Sequence, residues 1–243
     1  MNEKDEDGDT EVPPAEVAPA EVLGHALSGA ARRAGLDPTS ETSTGDAVWK
    51  AVGGWRGIAE SVLPSLAFII IYTLSQALPL SLLISVGLAA VFTVVRLLTR
   101  TPPSAALGGL AAAAVAGGIA LLTGRAQDAF ILGFVTNIAY GSALLISALV
   151  GWSLIGLAVG FLMGEGTAWR ADLRKRRIFF WVTLGWAALF GLRLAVQMPL
   201  YFIYGDDIAA LGTIKIVMGI PLFAVMVAIT LLAVRSVYRR AGK

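Results

Sequence analysis

The stretch LFGLRLAVQMPLYF, residues 189–202, places Arg193 and Gln197 inside a run otherwise suited to lipid. If the run crosses a membrane, a guanidinium sits in hydrocarbon and needs a physical reason to be there. The composition around it says that it does cross. Of 243 residues, 56% are hydrophobic and 15% charged, well outside the soluble range of about 45–50% apolar and about 25% charged. The chain reads as an integral membrane protein.

Charge is unevenly distributed. Residues 1–57 carry eleven acids against five bases, whereas residues 58–243 carry six acids against fourteen bases. The first 46 residues combine acids, Pro, Ala, Ser and Thr with almost no aromatics, and cannot bury enough apolar surface to offset the entropy of ordering. They read as a disordered acidic tail, residues 1–46, ahead of a transmembrane helical domain, residues 47–243. The chain begins with acids instead of a basic patch leading into an apolar run, so no cleaved signal peptide is expected.

Six windows, at about 58–76, 78–98, 104–123, 128–150, 178–204 and 208–234, supply the roughly 20 apolar residues that cross about 30 Å of hydrocarbon. Pro79, TRTPPS (99–104), GRAQD (124–128), GEGTAWRADLRKRR (164–177) and GDD (205–207) separate them with breakers or charges. The predicted fold is an all-α, polytopic membrane helix bundle of six transmembrane helices. Lys and Arg near span ends stay cytoplasmic, and here they alternate. Lys50 and Arg56 precede the first span, Arg96 and Arg100 follow the second, Arg170 and Arg174 to Arg177 follow the fourth, and Arg235, Arg239, Arg240 and Lys243 follow the sixth. Both termini are therefore expected on the cytoplasmic side of a bacterial inner membrane.

The segment WSLIGLAVGFLMG (152–164) is apolar but too short to cross. It is expected as a short interfacial helix after the fourth span. Gly156, Gly160 and Gly164 recur every fourth residue, making a smooth face for close approach. Trp49, Trp55, Trp152, Trp169, Trp181 and Trp186 mostly fall near the predicted cytoplasmic boundary, where amphipathic rings settle.

A charge near the bilayer centre costs about 2.5 kcal/mol or more, so such a residue faces the bundle interior and has a partner. Arg193 is expected about 15 Å below the outer end of the fifth span, Lys215 about 10 Å below that of the sixth, and Asn137 about 14 Å below that of the fourth. Gln197 follows Arg193 by one turn on the same face, Tyr201 follows by another, and Tyr140 lies close to Asn137. Pro199 and Pro221 each free a backbone carbonyl that a buried donor could satisfy. Two accounts follow. In the first, Arg193 and Lys215 bond to Asp206, Asp207 or the freed carbonyls and pin the last two spans together. In the second, Arg193, Lys215, Asn137, Gln197 and Tyr140 surround an outward-facing cavity for a small anion or an anionic lipid.

Catalytic chemistry finds little material. There is no cysteine, and the single histidine, His25, lies in the tail, so neither a catalytic set nor a metal site nor a cofactor is expected. Asp206-Asp207 lacks the second aspartate cluster that a diphosphate-metal site needs. The run RADLRKRR (170–177) beside a membrane contacts anionic headgroups and fixes topology, with no nucleic acid implied. Membrane lipids are the expected partners, and nothing in the sequence speaks to oligomeric state.

GGWRGIAESVLPSLAF (53–68), TGRAQDAFILGFVTNIAY (123–140), GEGTAWRADLRKRR (164–177), WAALFGLRLAVQMPLYF (186–202) and the lysine of GTIKIVMG (212–219) carry a resemblance. Over residues 50–240 the chain resembles an actinobacterial family of uncharacterised polytopic membrane proteins, distantly similar to the intracellular septation protein A family. The resemblance implies an inner-membrane scaffold for cell-envelope maintenance or division. It implies no enzyme activity and no cofactor, and it brings no binding residues with it. A transporter or lipid-binding protein using the intramembrane Arg/Lys/Asn layer is the alternative.

Overall fold

The computed structural model describes residues 43–51, 53–99 and 104–238. Its helices are α1 (Thr44–Ala51), α2 (Gly54–Ser75), α3 (Leu78–Leu98), α4 (Ser104–Thr123), α5 (Ile131–Leu149), α6 (Leu154–Leu162), α7 (Leu173–Ile203), α8 (Ile208–Val217) and α9 (Ile220–Tyr238). Short 3-10 turns at Ala126–Phe130 and Ala168–Ala171 precede α5 and α7, and no strand occurs among the described residues. Six stretches are long and apolar enough to cross a membrane: α2, α3, α4, the first turn with α5, α7, and α8 with α9. The protein is an all-α membrane bundle, as the apolar windows predict. The expected tail lies outside the described residues up to position 42, and α1 begins at Thr44, before the expected domain boundary at residue 47.

Backbone chemistry sets most of the ends. Gln76, in the left-handed region at φ 51°, closes α2 by donating its N–H to Tyr72 O, and Pro79 sits in the first turn of α3, where no N–H is needed. Gly124 and Gly151, with φ of 70° and 78°, end α4 and α5. Asp172 caps α7 by accepting from the backbone N–H groups of Arg174 and Lys175 at 2.8 and 3.2 Å. This cap explains a difference from the sequence reading: the basic run 173–177, expected in a loop, forms the first turns of α7.

α7 is the hub and packs on α5, α6, α8 and α9, whereas α2, α3 and α4 pack in chain order and α2 also packs on α8. Leu144, Val182, Trp186, Leu189 and Met226 form the core between α5, α7 and α9. A second core, with Phe68, Leu82, Phe130, Phe134 and Leu211, gathers all the spans at the end remote from Arg56, Arg96 and Arg174. Trp186 belongs to the first core and donates its indole N–H to Thr230 Oγ1 at 2.9 Å, tying α7 to α9. It is therefore an internal residue and not a boundary marker, because it lies well over three turns into a helix that starts at Leu173.

The segment after the fourth span folds back on α7 as a helix, a turn and a 3-10 turn. Ser153 organises its start: the hydroxyl bonds to Phe179 O at 3.0 Å, pairs with Thr183 Oγ1 at 2.5 Å and accepts from Gly156 N at 3.0 Å. Gly156 and Gly160 do permit a close approach, made by the indole of Trp169. A Cβ on Gly156 would stand 2.8 Å from that ring, and one on Gly160 would collide with Gly166 O and the same ring. Trp169 is thereby buried at 1% exposure. Gly164 has a different task, closing α6 at φ 76° with nothing near its absent side chain. On this end of the molecule Glu165 binds Lys175 at 2.7 Å and accepts from Tyr238 Oη at 3.0 Å, which joins the segment to the end of α9.

Two outcomes are expected. Gly160→Ala should cost about 1–3 kcal/mol through overpacking, and differential scanning fluorimetry in detergent should show a lower melting temperature, whereas Gly118→Ala, where nothing lies within 4 Å, should not lower it. In this cysteine-free chain, cysteines at exposed Asp206 and Arg174 should label from opposite faces of sealed vesicles. Labelling from one face would refute six crossings.

Candidate functional site: a broken last span beside an intrabundle cavity

The last span is two helices and not one. Pro221 has no N–H to offer Val217 O, and Gly219 turns its N–H to Ile216 O at 3.0 Å, so the carbonyl of Lys215 loses its usual helical donor. The C-terminal end of α8 thus presents free carbonyls inside the bundle, where no bulk water can satisfy them. The guanidinium of Arg193 lies near this end. Its Nη2 lies 3.6 Å from the place a Gly219 Cβ would occupy, and Lys215 O and Ile216 O lie 3.0 and 3.1 Å from the same point. The macrodipole of α8 also puts partial negative charge there, which favours Arg193 and the last-turn cation Lys215 together. The guanidinium of the fifth span thus lies near the carbonyl end of a broken helix.

The carboxylates expected to neutralise these cations are engaged elsewhere or exposed. Asp207 caps α8 by accepting from Ala210 N at 2.9 Å. Asp206 is exposed. Asp128, buried at 4%, accepts the Tyr201 hydroxyl at 2.5 Å. Among the described residues no ion pair joins Arg193 or Lys215 to an acid. Arg193 Nε and, one turn on, Gln197 Nε2 are buried with no hydrogen-bond partner.

Lys215 faces a cavity of about 610 Å³ walled by α2, α3, α4 and α5. The cavity exists because α4 contributes Gly109, Ala112, Ala113 and Ala116, side chains too small to fill the space between neighbours. It runs from Gly53, Gly57, Glu60 and Arg96 down to Lys215, and a smaller extension of about 90 Å³ ends against Phe68, Leu82 and Phe130. The ammonium of Lys215 lies 5.0 Å from the centroid of the Phe130 ring, a cation–π distance. At the opposite end Glu60 binds Arg56 at 2.7 Å and Arg96 at 3.3 Å, and Arg56 also donates to Thr99 Oγ1 at 3.3 Å. Arg56 and Arg96 share this one carboxylate.

The five residues singled out from sequence do not converge on one chamber. Lys215 lines the cavity, and Arg193 sits at the helix break beside it, with Gln197 one turn further along α7. Asn137 is buried at 7% on α5, next to Thr136, which does line the cavity. Tyr140 is 61% exposed and stacks on Phe190 at 5.8 Å between centroids, which puts it on the bundle surface. The cavity reaches the arginine-bearing mouth, while aromatic and aliphatic side chains close its other end. The sequence reading missed the mouth residues and the hydroxyls of Ser61, Ser65, Thr93 and Thr136. A signal for part of the wall was present: Gly53, Gly57, Ser61 and Ser65 recur every fourth residue, a small and polar stripe on one face of an otherwise apolar span.

A family model described as a protein of unknown function (DUF3159) matches residues 52–241. The chain belongs to the DUF3159 family. The match takes in all six spans, the interfacial segment and every cavity residue, and leaves α1 and the acidic N-terminal region outside it. No curated protein and no solved structure matches this DUF3159 chain.

Because Arg193 stands near the carbonyl end of α8, where the helix dipole favours a cation, Arg193→Leu should destabilise this DUF3159 protein by up to about 2 kcal/mol. At about 2–4 °C per kcal/mol, the loss is readable as a fall in detergent melting temperature, and Arg193→Lys should recover part of it. An unchanged melt for Arg193→Leu would show that the break does not depend on the guanidinium.

Proposed function

We propose that this DUF3159 protein binds a small anion or an anionic lipid in the α2–α5 cavity, with Lys215 as the charge that holds it. The observation that carries the reading is a lysine in a cavity wall, deep in an apolar bundle, with no carboxylate partner among the described residues. An isolated charge in such a place is costly, and intramembrane cations with that cost mark ligand or ion paths. The reading is of a binder or transporter, not of an enzyme.

The septation-like resemblance supplies a cellular setting for the proposal: the cytoplasmic membrane of a bacterium, both termini inside, and a part in maintaining the envelope. The arginines at the mouth and in α7 are then cytoplasmic, and Arg174, Arg176 and Arg177, exposed at the start of α7, contact anionic headgroups. The filled half of the bundle, tied across by Trp186–Thr230 and Ser153–Thr183, supports a scaffold role for that half, with the cavity half carrying the ligand.

Native mass spectrometry of detergent-purified protein is expected to show a co-purifying anion or anionic lipid that Lys215→Met loses without a fall in melting temperature. A variant that keeps the same adduct would overturn the assignment of the site.

A further inference from the structure

Three of the four hydroxyl groups of the cavity share one property. Ser61 Oγ donates to Gly57 O at 2.9 Å and Ile58 O at 3.0 Å. Thr93 Oγ1 donates to Ala89 O at 2.8 Å, and Thr136 Oγ1 to Leu132 O at 3.0 Å and Gly133 O at 2.9 Å. Each of these three protons is committed to a backbone carbonyl, with Ala106 O on α4 also 3.4 Å from Thr93 Oγ1, so the three hydroxyls offer the cavity lone pairs. Ser65, also in the wall, makes no such bond and can donate or accept. Both carboxylate oxygens of Glu60 at the mouth are taken by arginines. At the far end the ammonium of Lys215 is a donor only. Acceptors therefore outnumber hydroxyl donors along the wall, and a cation closes it.

An occupant that matches both features is anionic at one end and carries hydroxyl or ammonium donors along its body. A halide or sulfate supplies the charge alone, inorganic phosphate keeps its few O–H groups on the charged centre itself, and a quaternary ammonium body supplies no N–H or O–H. We propose that the cavity selects a phosphate ester of a polyol or amino alcohol, as a lipid headgroup or a free solute, with its phosphate at Lys215 and its donors on Ser61, Thr93 and Thr136. A compact ammonium suits a phosphate as a point charge, and Arg193, at the break four residues beyond Lys215, adds a second positive charge for a dianion. A volume of about 610 Å³ lies within the usual range of ligand cavities, roughly 300–1,000 Å³. This rests on the reading of the cavity as an anion site.

The test is calorimetry on the full chain in detergent with glycerol phosphate, phosphocholine and inorganic phosphate, with native mass spectrometry from nanodiscs of phosphatidylglycerol or phosphatidylcholine as a second arm. Glycerol phosphate, or phosphatidylglycerol if the source is lipid, should be retained at least about tenfold better than its choline counterpart, the worth of one or two hydrogen bonds. Thr136→Val and Thr93→Val should each weaken the preferred ligand about fivefold and leave the choline compound unchanged; Thr136 is the exposed position and the safer one for folding. Binding confined to the soluble ester or to the lipid names the source, and either supports selection by donors. Equal retention of glycerol and choline compounds that Lys215→Met abolishes would leave the anion site standing and overturn this inference. Retention insensitive to Lys215→Met, or none of any probe, would overturn both.

Discussion

A backbone carbonyl inside a membrane has no water to turn to, and the molecule is organised around one place where a helix leaves such groups open. Between α8 and α9, Pro221 and the redirected Gly219 N–H remove helical donors from the chain. α7 brings the guanidinium of Arg193 near this opening, beside the gap that Gly219 leaves, where the helix dipole favours a cation. The hub helix and the broken span thus come together at the end of α8, in whose last turn Lys215 lies. An uninterrupted last span would have no exposed carbonyls for Arg193 to meet.

The same bundle contains a filled half and an unfilled half, and side-chain volume decides which is which. Between α5, α7 and α9, large residues such as Trp186, Leu189 and Met226 interlock, with Gly141 and Gly185 letting Phe190 and Met226 come within 3.1 Å of where a Cβ would be. Between α2 and α5, the Ala and Gly wall of α4 meets Ser61 and Thr136 across open space. Hydroxyls satisfied by their own helices can line such a space without a partner across it. A cavity with cations at both ends is thus a product of ordinary helix chemistry combined with small residues.

The interfacial segment shows how a short apolar stretch becomes part of the fold without crossing. Its glycines make a socket for Trp169, Ser153 anchors it to the α7 backbone, and Glu165 ties it through Lys175 and Tyr238 to α7 and α9. Arg170 lies over the ring of Trp152 at 3.7 Å, covering an indole face at the basic end. The close approach that a four-residue glycine spacing permits is here made by an aromatic ring from the following turn, a partner that the spacing alone does not specify.

What the sequence alone determined follows from properties that are additive along the chain. Hydrocarbon thickness and residue polarity set the number of candidate spans, Pro79 and the GRAQD run from Gly124 separate helices, and the rarity of charge in apolar windows singles out Arg193 and Lys215 as residues needing an explanation. What only the tertiary structure decided depends on which helix faces meet. It placed Arg193 at the α8–α9 break instead of beside Asp206 or Asp207, sent Tyr140 to the surface, and gathered Glu60, Arg96, Thr93 and Thr136 around one cavity from three separate helices. A span that is apolar on every side has almost no amphipathic signal to say which face turns inward, so the pairing of faces is settled by packing volume and buried hydrogen bonding between distant segments, and these exist only once the bundle has formed.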